Sequence, residues 1–139
     1  MIRIYAVAFF VFLSPSTLVA QEMQPLSELI ASGSEDTYPL VRCAGLFLSG
    51  LEWAGEIRLG PTESIKVKTV VGNIVEIATE MRKSSLGDGA RVSVLRDVGN
   101  VSDAYVSRYK KNYATTGQAF GLDEMWQADT DLCVLLLGN

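Results

Sequence analysis

Apolar side chains recur in steps of three and four between positions 40 and 54, which is the spacing of one face of an α-helix. Pro39 fits the first turn of such a helix, and Gly60-Pro61 is expected to end it. This apolar stripe consists of Leu40, Cys43, Ala44, Phe47, Leu48, Leu51 and Ala54.

The segment from about 64 to 81 fits two structures. Val67, Val70, Val71, Ile74 and Ile77 follow helical steps, which favours a second helix. The segment is rich in β-branched residues, however, and Gly72-Asn73 between apolar runs is typical of a β-hairpin turn. We therefore predict a helix here, with a hairpin in an α+β fold as the alternative.

Two more helices are predicted after the Gly-Asp-Gly break at 87–89. A ridge of valines and tyrosines from Val94 to Tyr113 describes a long helix, and residues 122–137 describe a last one. A short helix is expected at 25–31. Helices joined by short connections favour an all-α fold, a four-to-five-helix up-and-down bundle, in one helical domain spanning 21–139.

Residues 1–20 have the layout of a secretory signal peptide: Arg3, an apolar run, a break at Ser14-Pro15-Ser16, and a small residue at Ala20. The protein is therefore expected in the periplasm or outside the cell. An uncleaved N-terminal anchor is the alternative, and a membrane is an expected partner only in that case.

The composition of the chain limits the kinds of partner that it is expected to bind. The 139-residue chain is 48% hydrophobic and carries a formal charge of −4, so it has material for a core and no general attraction to nucleic acid or to anionic lipid. A protein partner in the cell envelope is expected instead. The sequence carries no pattern that assigns an oligomeric state.

The absence of histidine excludes the Ser-His-Asp and Cys-His nucleophile systems and the histidine zinc sites. Asp129 and Asp131 suggest an oxygen-ligand metal site, but on a helix they point about 200° apart and are better explained by capping. We therefore predict no catalytic residues, no metal and no cofactor. The exception to be weighed is a carboxylate-dependent cell-wall hydrolase, for which Glu52 beside Trp53 and Glu124 near Trp126 are the candidate groups.

The chain has two cysteines, Cys43 and Cys133, both on predicted apolar helix faces. In an exported protein such a pair is expected to form a disulfide between the first long helix and the last. Two buried thiols that never meet are the alternative.

The pattern YPLVRCAGLFLSG followed by a cysteine in DLC near the other end resembles small uncharacterised exported helical proteins of Gram-negative bacteria. The resemblance covers the two cysteine-bearing helices and implies a disulfide. It implies no activity.

Three residues widen the apolar surface of the first long helix because they lie off its stripe: Leu46, Trp53 and Ile57. They are the candidate interaction surface. The preferred function is a non-catalytic periplasmic or secreted binding or interaction protein. A small hydrophobic-ligand carrier, with a pocket inside the bundle, is the first alternative, and the hydrolase is the second.

Overall fold

A computed structural model describes residues 23–138, so the predicted signal peptide at 1–20 lies outside the described residues. The described part contains four α-helices and no strand. It contains α1 (Leu26–Ala31), α2 (Tyr38–Leu86), a 3₁₀ turn (Gly87–Gly89), α3 (Ala90–Thr116) and α4 (Glu124–Leu137). The all-α prediction is confirmed, and the segment at 64–81 is helical rather than a hairpin.

Helix α2 folds back on itself. Gly55 (φ 72°, ψ 156°) and Gly60 (φ 77°, ψ 161°) leave the helical conformation, and their positive φ values favour glycine. A straight helix would separate residues 37 and 82 by about 67 Å. Instead, Arg82 Nε lies 3.0 Å from Thr37 Oγ1. We call residues 38–54 the first arm of α2 and residues 61–86 the second arm. The first arm ends at Gly55, earlier than the predicted end at Gly60-Pro61, where the chain leaves the helical conformation a second time.

The helices alternate in direction. The first arm runs parallel to α3, since Arg42 contacts Tyr105 and, further along both helices, Trp53 contacts Tyr113. The second arm runs opposite to the first, and α4 runs opposite to α3. The result is the predicted up-and-down bundle, with the short α1 packed against α4 and α2.

The first arm and α3 approach closely at Gly45. A Cβ atom placed there would lie 2.4 Å from Cγ1 of Val101. Because Gly45 has no side chain, the two backbones can come together and bury Val101, Ser102 and Tyr105.

The tyrosine ridge of α3 is buried only in part. Tyr105 and Tyr109 are fully buried, but Tyr113 is 57% exposed. Tyr113 is near the end of α3, beside the last turn of the first arm, where the edge of Trp53 covers one side of its ring at 5.9 Å. The ridge of valines and tyrosines that predicted α3 is therefore buried as far as Tyr109 and exposed at Tyr113.

A disulfide joins the first arm to α4. Cys43 and Cys133 are bonded, with their Cα atoms 5.4 Å apart, and neither side chain is exposed. The predicted disulfide is confirmed. Within residues 23–138, no helix combines the length and the apolar character needed to cross a bilayer.

Candidate functional site

A buried ion pair lies beside the disulfide. Arg42, on the first arm, donates from Nη2 to Oδ2 of Asp129 on α4 at 2.7 Å, and the two side chains are 2% and 1% exposed. Tyr105 of α3 completes the contact, because its hydroxyl accepts from Arg42 Nε at 2.7 Å and donates to Asp129. The other carboxylate oxygen of Asp129 accepts from the backbone N–H of Leu26 at 2.8 Å. Three helices and the start of α1 therefore meet at one carboxylate.

Arg42 and Tyr105 both keep their protons at neutral pH. Burial alone would lower the pKa of Arg42, but Tyr105 and Asp129 oppose it and the net pKa is raised above its ordinary value. Burial also raises the pKa of Tyr105 far above its ordinary value. Arg42 is therefore a permanent cation beside a neutral phenol. The arrangement suits positioning and charge recognition rather than proton transfer.

A second buried guanidinium, that of Arg82, lies near the same end of the bundle. Arg82, on the second arm, is 3% exposed and donates from Nε to Glu35 and Thr37, each at 3.0 Å. Its Nη1 donates to Asp97 at 2.6 Å and to Ser93 at 3.0 Å. Arg82 thus fixes the loop before α2 against α3.

An open groove of about 510 Å³ contains both guanidinium groups. It runs between α1, the two arms of α2 and α3. The lining combines apolar side chains, which we call the apolar wall, with the carboxylates that pair with Arg82. The lining residues include Met23, Leu29, Glu35, Tyr38, Arg42, Arg82, Asp97, Asn100, Val101 and Ala104.

The two guanidinium groups of the groove differ in how fully their N–H groups are hydrogen-bonded. Arg42 uses Nε and Nη2 for Tyr105, Asp129 and the carbonyl of Gln24. Within the described residues its Nη1 has one hydrogen-bond contact, a long one of 3.5 Å to the hydroxyl of Tyr38. Of the two N–H groups at Nη1, one makes this long contact and the other has no hydrogen-bond partner among the described residues. Glu35 and Asp97 both pair with Arg82, and Asp97 also pairs with Arg96 at 3.2 Å.

The predicted interaction residues occupy three different environments. Leu46 is 3% exposed and belongs to the core. Trp53 is partly buried, with its ring 5.9 Å from the ring of Tyr109. Ile57 is 99% exposed, in the reversal between the arms of α2. The apolar surface that motivated a protein partner is thus largely used within the bundle, and Ile57 is the part of it that remains fully exposed.

The carboxylates considered for hydrolysis are placed differently from one another. Glu52, on the first arm, accepts a hydrogen bond from Ser102 of α3 at 3.0 Å. Glu124 lies exposed in the first turn of α4. Asp129, considered as a metal ligand, is committed to Arg42, and residues 23–138 contain no group of three or more candidate metal ligands.

Sequence reasoning missed the pairing of Arg42 with Asp129 and assigned Asp129 to helix capping, whereas the N-cap of α4 is Asp123. A signal was present, since Arg42 directly precedes Cys43 and Asp129 lies one turn before Cys133. A disulfide fixes the relative position of two helices, so opposite charges beside its two cysteines are brought together. The pairing of Arg42 with Asp129 could therefore have been predicted from the sequence once the disulfide was assumed.

Comparison of the chain with models of protein families, with curated proteins and with solved structures found no match. The function is therefore argued from the geometry of the described residues alone.

Proposed function

We propose that the chain is an exported, non-catalytic binding protein whose ligand site is the groove between Arg42 and Arg82. One observation carries the proposal: a buried guanidinium, whose Nη1 makes only one long hydrogen bond among the described residues, lines a groove that also has an apolar wall. Ligand sites in proteins commonly combine an apolar lining with a few fixed polar groups.

An N–H at Arg42 Nη1 and the carboxylates of Glu35 and Asp97 line the same groove, which favours a small zwitterion with an apolar side chain, such as an amino acid. A ligand carboxylate would accept hydrogen bonds from Arg42 Nη1. Its amino group would lie toward Glu35 and Asp97, and its side chain would pack on Leu29, Val101 and Ala104. Because the groove is assembled from α1, α2 and α3, it depends on the intact bundle.

Export is part of the same proposal. The bonded pair Cys43–Cys133 supports it, because disulfides persist mainly in oxidising compartments. The apolar run and cleavage site within residues 1–20 support it independently.

A hydrophobic-ligand carrier is the second candidate, since the apolar wall of the groove favours it. The two candidates differ in what they require of the ligand. A zwitterion site needs both charged groups, whereas a carrier would accept a fatty acid or a neutral aromatic compound.

The test is thermal denaturation of the oxidised protein with a panel of apolar amino acids, their N-acetyl and amide derivatives, and fatty acids. A ligand that binds only the native state raises Tm, and the stabilisation grows with the logarithm of one plus the ratio of free ligand concentration to Kd. We expect the free amino acids to raise Tm and the two singly blocked forms to do so much less. Stabilisation by fatty acids alone would favour the carrier, and no stabilisation by any compound would refute the groove as a small-molecule site.

Two variants localise the effect. Ala104→Trp fills the groove and is expected to abolish the Tm increase. Ser107→Trp adds the same bulk to an exposed position on the same helix and is expected to leave the increase unchanged.

A further inference from the structure

The end of the bundle where α2 reverses has an unusual surface. We call residues 55–68 together with 110–122 the tip. The two parts lie side by side, since the ring of Trp53, just before the first part, is 5.9 Å from the ring of Tyr113 in the second. The tip exposes four large apolar side chains: Ile57 at 99%, Leu122 at 68%, Ile65 at 64% and Tyr113 at 57%.

Ile57 is held outward by the backbone. It lies between Gly55 and Gly60, whose φ values of 72° and 77° belong to a conformation that other residues adopt rarely. The reversal is thus fixed by two glycines, and the side chain of Ile57 has no covering neighbour within the described residues. Isoleucine at the outermost point of a turn is costly in water, because its whole apolar surface stays hydrated.

The charge of the tip is opposite to that of the chain. Five basic side chains and two carboxylates give the tip +3, whereas the whole chain carries −4. The basic residues of the tip are Arg58, Lys66, Lys68, Lys110 and Lys111, and its carboxylates are Glu56 and Glu63.

Three of these cations are also unpaired. Within residues 23–138, Arg58, Lys110 and Lys111 have no ion pair, while each of the other eight basic side chains has a carboxylate partner. Unpaired cations are therefore confined to the end of the molecule that exposes Ile57.

We propose that the tip docks on a lipid bilayer that contains anionic phospholipid. Ile57, Ile65 and Leu122 would enter the region between headgroups and acyl chains, and Arg58, Lys110 and Lys111 would lie at the phosphates. Membrane-surface proteins combine apolar insertion with basic residues in this way. The negative net charge of the chain argued against such binding, but the charge is unevenly distributed, and the tip alone approaches the lipid. The proposal is independent of the groove and its ligand.

The test is co-sedimentation of the protein purified from its secreted form, with the N-terminus determined by mass spectrometry. The vesicles contain phosphatidylcholine alone or an equal mixture with phosphatidylglycerol. We expect binding to the mixed vesicles that weakens in 0.5 M salt. Ile57→Ser should reduce the partition coefficient roughly tenfold. The triple change Arg58→Gln, Lys110→Gln, Lys111→Gln should reduce it roughly a hundredfold and remove the preference for the anionic lipid.

Matched changes at the opposite end of the bundle are the controls. Val92→Ser removes an apolar side chain that is 71% exposed. The triple change Lys83→Gln, Arg91→Gln, Arg96→Gln removes three cations. Both should bind as the unchanged protein does, with circular dichroism verifying that every variant is folded.

Absence of vesicle binding, or binding that Ile57→Ser and the tip triple leave unchanged, would overturn the proposal. Equal losses in the controls would overturn it as well, since the effect would then follow overall charge or hydrophobicity. If the protein fails to bind vesicles but an envelope protein binds it through Ile57, the tip is a protein interface instead.

Discussion

Oδ2 of Asp129 lies 2.7 Å from Nη2 of Arg42, and the contact joins α4 to the first arm of α2 in the interior of the bundle. The two residues are 87 positions apart in sequence and one turn or less from the two cysteines. A buried charge that loses its partner retains the full cost of its desolvation.

Removing one member of this pair should therefore destabilise the protein strongly. We expect Asp129→Asn and Arg42→Met each to lower the free energy of unfolding by about 3–5 kcal/mol. Urea denaturation under oxidising conditions measures it. The double variant Arg42→Met, Asp129→Leu removes both charges and should lose less than the sum of the single losses. Strict additivity would show that the two side chains do not interact.

The close approach at Gly45 gives a second prediction. In Gly45→Ala the new Cβ meets the side chain of Val101 at 2.4 Å, so the arm and α3 must separate. We expect a loss of about 1–3 kcal/mol in the free energy of unfolding. Gly50→Ala, on the same arm, is the control because no atom lies within 4 Å of its added Cβ. It should gain about 0.5–1 kcal/mol from helix propensity. Equal effects at the two glycines would contradict the packing seen at Gly45.

The disulfide should supply a large share of the stability. It closes a loop of 90 residues, for which the chain-entropy estimate is about 4–5 kcal/mol. Cys43→Ser, Cys133→Ser should lower the denaturation midpoint accordingly, and reductant should have the same effect on the unchanged protein. The double variant in reductant is the control and should not shift further. Alkylation of two thiols in the native secreted protein would show that the bond is absent.

Lowering the pH should destabilise the start of α4, because it protonates the N-cap residue Asp123. Burial alone would raise the pKa of Asp123, but hydrogen bonds from Arg108, from the backbone N–H of Trp126 and from Asn112 outweigh it and lower the pKa below its ordinary value. A carboxylate with a lowered folded-state pKa stabilises the fold above the unfolded pKa, near 4, and loses this contribution as the pH falls through the folded value.

The measurement compares the unchanged protein with Asp123→Asn by urea denaturation from pH 7 to pH 2. Their difference in unfolding free energy should be constant above about pH 5 and shrink below about pH 4. Asp131→Asn, an exposed change of the same kind on the same helix, is the control. A difference that persists unchanged to pH 2 would mean that the charge of Asp123 contributes nothing.

The helices were predictable from sequence because each one repeats its apolar residues at helical spacing over several turns. The break at Gly60-Pro61 was predictable because proline and glycine disfavour the helical conformation through their own backbones, whatever the surrounding packing. The earlier reversal at Gly55 was not, because a glycine inside an apolar run is also tolerated within a helix and its conformation depends on the packing of both arms.

The groove could not be predicted, because its two guanidinium groups come from positions 42 and 82 and its carboxylates from before α2 and from α3. A charged residue in an amphipathic pattern is normally assigned to the solvated face, and nothing local distinguishes Arg82 from Arg91. Burial of Arg82 follows from the tertiary arrangement, which brings Glu35, Thr37 and Asp97 to it at once. Tyr113 is the opposite case. Its helical spacing continues the apolar ridge of α3, but the neighbouring helices cover that ridge only as far as Tyr109.

The bond between Cys43 and Cys133 also shapes how the molecule matures. On the proposed export route, with the N-terminus crossing first, the first sulfur would arrive long before the second and would stay reduced, or held by a carrier, until the intervening bundle followed. Because the chain holds no third cysteine, oxidation cannot produce a wrong intramolecular partner. An oxidant alone completes the molecule, and disulfide isomerisation has no part in its assembly.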